Sequence, residues 1–170
     1  MKKFILSICL FLSVFISIHA EQENRDVTGL ALEYGLIGRQ DDFGISLAIT
    51  SPWLFHNTFA LHLNADCFFL NSQQKTPYYV LDFSVLGGSL MQTANIRVYG
   101  GGGPLLIFPV QKNKPKVLVT GQGFFGFEFF MGKRPADLSF FIEMGGGGFG
   151  FTAKAGLRYT FPMLYREKQH

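Results

Sequence analysis

The sequence predicts an all-β chain, eight antiparallel strands joined up-and-down and closed into a barrel. Three observations carry this. From Phe151 to Phe161 every second residue is apolar (Phe151, Ala153, Ala155, Leu157, Tyr159, Phe161), and Thr152, Lys154, Gly156, Arg158 and Thr160 lie between them. That is the period of a strand with two chemically different faces. Turn-rich breaks cut residues 27–161 into eight pieces of strand length. The composition, with 20 Gly and 20 Phe and few charges, suits sheet, and no segment carries a helical period.

The first twenty residues read as a leader rather than as part of the fold. Lys2 and Lys3 precede an apolar run from Phe4 to Ile18, and Ala20 precedes the polar EQENRD. A basic start, a short apolar stretch and a small residue before the cut describe a secretory signal peptide. The run is shorter than the ~20 residues of a spanning helix. The expected division is a signal peptide over 1–20, cleaved after Ala20, a barrel domain over 21–161 and a short periplasmic tail over 162–170. Without Lys2 and Lys3 the chain has 13 Lys and Arg against 12 Asp and Glu, so its charge points to no nucleic acid. Cys9 falls in the leader, which leaves Cys67 alone and rules out an intramolecular disulfide.

The expected strands follow in order. The first runs Val27–Ile37 and the second Phe43–Thr50, divided by GRQDD. The third runs Thr58–Leu70 after SPWLFHN, and the fourth Tyr78–Leu90 after NSQQKTP. The fifth is Ala94–Phe108, the sixth Val117–Met131 after PVQKNKPK, the seventh Leu138–Gly146 after GKRPAD, and the eighth Gly150–Phe161. An even number of strands with short connections favours antiparallel neighbours.

The faces carry the argument further. In the third segment Phe59, Leu61, Leu63, Ala65, Cys67 and Phe69 lie opposite His62, Asn64 and Asp66. In the sixth, Val119, Phe125, Phe127 and Phe129 lie opposite Gln122, Phe124, Glu128 and Phe130. The polar faces collect Glu33, His62, Asp66, Asp82, Arg97, Glu128, Glu143, Lys154 and Arg158. Alternation alone suits a barrel with an apolar inside or one with an apolar outside. Three features favour the second, transmembrane arrangement. The apolar faces run about ten residues per strand, the length of a tilted membrane strand. Aromatic residues near segment ends (Trp53, Phe55, Tyr78, Tyr79, Phe108, Tyr159, Phe161) fit interfacial girdles. The polar faces mix Gly, Ser and Thr with charges of both signs, so that five carboxylates meet three cations and a histidine in a lumen where they can pair.

Lys154-Ala155-Gly156-Leu157-Arg158-Tyr159-Thr160-Phe161 resembles the C-terminal β-signal of outer-membrane barrels, matched at Lys154, Gly156, Tyr159 and Phe161. The chain as a whole resembles the small eight-stranded outer-membrane proteins, in the size range of the OmpA barrel, OmpX and OmpW. NIRVYGGGGPLLIFP and FFGFEFF look like segments of small exported spirochaetal barrels. The resemblance implies an outer-membrane location, contact with outer-membrane lipid, and recognition of those four residues by the outer-membrane assembly machinery. Ending nine residues past the final Phe departs from the family pattern.

Other chemistry finds little support. YGGGGP and GGGG lack the helix and the Lys-Ser/Thr of a phosphate loop, and read instead as points of curvature. His56 falls in a turn, His170 is the last residue, and no Ser shares the strand face of His62 and Asp66, so a serine mechanism has no assembled base. One free Cys and scattered His give no metal spacing. The expectation is a non-catalytic structural protein that takes no cofactor or metal. Alternatives are a loop-mediated surface binder, a narrow pore, or a lipid-modifying barrel enzyme. Any extracellular ligand is unidentified, and Lys112, Lys114 and Lys116 on a Pro-bounded loop are the candidate contacts for it.

Overall fold

The computed structural model describes residues 29–40, 42–55, 57–70, 78–91, 94–109, 117–131 and 138–161. The expected leader, His56, the loop bearing Lys112, Lys114 and Lys116, and the segment 162–170 lie outside the described residues.

Eight strands follow one another: β1 Ala31–Arg39, β2 Asp42–Thr50, β3 Phe59–Leu70, β4 Tyr78–Met91, β5 Ile96–Pro109, β6 Leu118–Phe130, β7 Leu138–Gly147 and β8 Gly150–Thr160. Each pairs antiparallel with its neighbour in sequence, and β1 pairs with β8, so the sheet closes on itself. The up-and-down barrel expected from the alternation is the fold. Seven of the eight expected segments match the strands to within a residue or two at each end. The first begins later than expected, at Ala31 rather than Val27, and runs on to Arg39. Arg39 is paired with Asp42 across a tight turn. Gln40 in that turn takes φ 49°, the left-handed conformation that hairpin turns of matching twist require.

Following partners once round from Ala31 returns to β1 about ten residues further along the chain. With eight strands, that stagger corresponds to a strand tilt of about 40°. Two irregularities interrupt the ladders. The register slips by one residue between Phe43 and Gly44, a bulge in the β2–β3 pair. The β4–β5 ladder is interrupted between Asp82↔Leu105 and Val85↔Gly102, with the register unchanged on either side. Pro104 lies in that gap, and its ring nitrogen has no hydrogen to give a ladder.

Burial is inverted relative to a water-soluble barrel. Leu32, Tyr34, Leu36, Leu47, Leu63, Phe83, Phe125, Phe151 and Leu157 point outward and are exposed. Glu33, His62, Asp82, Arg97, Glu128 and Arg158 point inward and are almost wholly removed from solvent. Among the described residues every Asp, Glu, Lys and Arg lies in the lumen, except Arg39 and Asp42, which pair at one rim. An exterior without charge is what an apolar solvent demands, because a charge at the bilayer midplane costs about 2–4 kcal/mol. No described helix is long and apolar enough to cross a membrane. A closed barrel crosses with strands and leaves no backbone edge unpaired in lipid.

The girdle reading needs correcting at two residues. Phe55, Tyr79, Tyr159 and Phe161 face outward, but Trp53 and Tyr78 are buried inside the barrel. Trp53 lies in the β2–β3 connection, which folds over the barrel mouth and lays the indole on Arg97, 4.3 Å from guanidinium carbon to ring centre. Tyr78 is held inward because its hydroxyl donates to Asp42 at 2.6 Å and accepts from Arg39. An aromatic with a polar partner inside the barrel stays there rather than at the interface.

Candidate functional site in the barrel lumen

The lumen is built in layers. At the end carrying the β1–β2 and β7–β8 turns, Ile37, Phe68, Tyr78, Val80, Leu105, Ile107 and Phe149 form an apolar stopper. Phe149 comes from the turn between β7 and β8, where Gly150 adopts φ 102°, a conformation open to glycine. Its ring meets Phe68 and Tyr78 edge-on, and Arg39 covers its face at 3.9 Å. At the opposite end Trp53, Ala60, Leu86 and Tyr99 form a second apolar cluster. Between the two lie the charges.

All nine residues expected from the polar strand faces sit in the lumen, and most of them touch one another. Arg158 is the hub. Its Nε lies 3.0 Å from Glu33 Oε1 and its Nη1 lies 2.8 Å from Glu128 Oε2. Arg97 reaches the same Glu128 oxygen at 3.1 Å, and Ser139 Oγ donates to the other at 2.6 Å. Two carboxylates thus meet two guanidiniums; Glu33 Oε2 is left without a hydrogen-bond partner, while both oxygens of Glu128 are engaged. Buried ion pairs need that completeness if they are not to cost more than they return.

His62 belongs to the same group through Thr50, whose hydroxyl donates to Glu33. That single proton is then spent, so the 2.9 Å contact between Thr50 Oγ1 and His62 Nδ1 has the imidazole N–H as donor. The order acid–hydroxyl–imidazole differs from a catalytic triad, in which the imidazole stands between acid and nucleophile. Thr50 is also fully buried, where no substrate reaches it.

Further along the lumen Lys154 Nζ lies 3.4 Å from Glu143 Oε2, its direct partner across the β7–β8 ladder. Tyr99 reaches over Gly126 of β6 to donate to Glu143 Oε1 at 2.8 Å and to accept from Arg158 Nη2 at 3.3 Å. Gly126 makes this possible, because a Cβ there would fall 2.8 Å from Tyr99 Cζ and 2.9 Å from Glu143 Cγ. Asp82 accepts from Ser84 and from Gln122 Nε2, each at 2.6 Å. Asp66 lies beside this group, a diagonal neighbour of Asp82 on the adjoining strand.

Sequence reasoning passed over several members of the network: Thr50, Ser46, Ser139 and above all Tyr99. The signal was present as parity. Tyr99 shares the inward face with Arg97, Ser139 with Glu143, and Ser46 with Thr50. The four residues of the expected assembly signal divide by the same rule. Lys154 faces the lumen, Gly156 packs against the β1 backbone, and Tyr159 and Phe161 face outward with their rings edge-on at 5.0 Å.

No protein-family model and no curated protein matches the chain. Solved structures do. The N-terminal β-barrel domain of OprF from Pseudomonas aeruginosa superposes with a TM-score of 0.62 at 10% identity, over 82% of this chain and 100% of that one. A barrel from a study of de novo designed transmembrane β-barrels gives 0.59 at 10% identity, over 83% of this chain and 100% of that one. Neisserial surface protein A gives 0.55 at 10% identity, over 82% and 100%. The fold is therefore that of the small eight-stranded transmembrane barrels of the outer-membrane type. At such identity the likeness concerns the fold alone.

Proposed function

We propose that this chain is a small integral outer-membrane protein whose role is structural, a sealed barrel that neither catalyses nor conducts. The observation that carries this reading is the pairing of a charge-free apolar exterior with a lumen filled by its own side chains. Eight strands enclose only enough room for side chains. Here the interior keeps a cavity of about 20 Å³, space for about one water. Export through the leader, insertion by the assembly machinery that reads Lys154, Gly156, Tyr159 and Phe161, and residence among outer-membrane lipids belong to the same proposal.

The test is fractionation followed by electrophoresis without and with boiling. The protein is expected in the outer-membrane fraction, and the folded barrel should migrate differently from the boiled chain. Recovery as a soluble protein with no heat-dependent shift would overturn the reading. Conductance steps from the purified protein in planar bilayers would instead establish a narrow pore.

A further inference from the structure

We infer that the lumen binds one dehydrated monovalent cation of sodium size between Asp66 and Asp82. Charge accounting leads there first. Glu33 and Glu128 are matched by Arg97 and Arg158. Of the remaining inward carboxylates, Glu143 has the Lys154 ammonium at 3.4 Å and the shared Arg158 guanidinium at 4.0 Å, and Lys154 is the one further cation available to Asp66 and Asp82. Five carboxylates thus face three permanent cations, and a charged His62, which belongs to the Glu33 group, would still leave the lumen one positive charge short. An uncompensated charge shut away from water is among the costliest features a fold can carry.

The second observation is a space with groups turned toward it and unused. The cavity of about 20 Å³ has a wall that is apolar in part, and its charged and amide lining is Asn64, Asp66, Asp82, Gln122, Glu143 and Lys154. Asp66 is 6% exposed and its Oδ1 has no hydrogen-bond partner, and Asn64 is 1% exposed with Nδ2 likewise unpartnered. Asp66 and Asp82 are diagonal neighbours on one face of β3 and β4, and both line this cavity. Asn64 is the adaptable ligand. Its Oδ1 now accepts from Ser46 at 2.7 Å. Turning the amide over puts Oδ1 into the cavity and lets Nδ2 donate to Ser46 Oγ, so the orphaned amino group gains an acceptor. Among the described residues no group of three or more His, Cys, Asp or Glu is arranged to hold a metal ion. Two carboxylates with amide oxygens are instead a hard, mixed oxygen set of low charge, which suits a monovalent ion.

The experiment uses the intact barrel folded in detergent, with unfolding followed by the heat-dependent gel shift at fixed ionic strength. Sodium chloride is exchanged stepwise for N-methyl-D-glucamine chloride. The midpoint is expected to rise with sodium, by a few degrees for each tenfold increase beyond half-saturation. Asp66→Asn and Asp82→Asn should each abolish that dependence, while Asp42→Asn at the rim leaves it intact. Where a variant does not fold, sodium-23 line broadening on the wild-type barrel serves instead, and lithium should reverse it while N-methyl-D-glucamine does not. Equal midpoints in the two salts, or no sodium broadening, would show that the cavity holds water or protons only and overturn the inference. Because the readout is made on the folded barrel, it is independent of which membrane houses the protein and of whether the barrel conducts.

Discussion

Arg158 Nη1 stands 2.8 Å from Glu128 Oε2, and neither side chain reaches solvent. Since Arg158 also serves Glu33, removing it strands that buried carboxylate and leaves Glu128 with Arg97 as its one guanidinium. Arg158→Ala is expected to lower the stability of the folded barrel by about 3–5 kcal/mol, read from urea midpoints in lipid vesicles. Joint replacement of Arg158 and Glu128 by Leu should cost less than the sum of the single changes, because their direct contact is lost in each single variant and so is counted twice in that sum. Additive losses would mean that the pair is not coupled.

Tyr99 holds the two charge groups together. Tyr99→Phe keeps the ring and removes the hydroxyl that joins Glu143 to Arg158, so a loss of about 1–3 kcal/mol is expected from the groups left unsatisfied. Gly126→Ala should cost about 1–3 kcal/mol by a different route, as overpacking against the Tyr99 ring. In a Tyr99→Ala background the Gly126→Ala penalty should shrink. Equal penalties in the two backgrounds would remove the steric explanation.

The exterior is tested at Phe83, which faces outward near the middle of β4. Phe83→Arg is expected to destabilise the vesicle-inserted barrel by about 2–4 kcal/mol, and Phe161→Arg at the strand end by about 0–1. A neutral Phe83→Arg would mean that this face does not meet the hydrocarbon.

The final strand supplies an assembly test. Phe161→Ala is expected to lower the yield of inserted barrel in cells, while deletion of residues 163–170 leaves it unchanged. If the deletion is the damaging change and Phe161→Ala is silent, the recognition element lies in the tail.

The strands were legible because a barrel wall between two unlike environments imposes a period of two on every segment. The same parity placed Glu33, Arg97, Glu143 and Arg158 together before any coordinates. Parity did not reveal which way a connection folds once a strand ends. Trp53 and Phe149 both lie in turns, and each is drawn inward by a guanidinium, from Arg97 and Arg39. Those partners are distant in sequence, so no local pattern reports them. Tyr78 was misread for the same reason, since its inward hold depends on Asp42 and Arg39 across the barrel mouth. The cavity beside Asp66 was equally invisible, because it depends on how side chains from several strands fail to fill one space.

The seam between β1 and β8 pairs Ala31 with Thr160, and the amide of Phe161 bonds to the carbonyl of Leu30 at 2.8 Å. The first strand to leave the ribosome is thus completed by the last. Until β8 arrives, the chain carries two bare edges that lipid cannot satisfy, and its most distant ladder cannot begin to form. A wall with no open edge toward lipid therefore exists only once its two most distant strands have met.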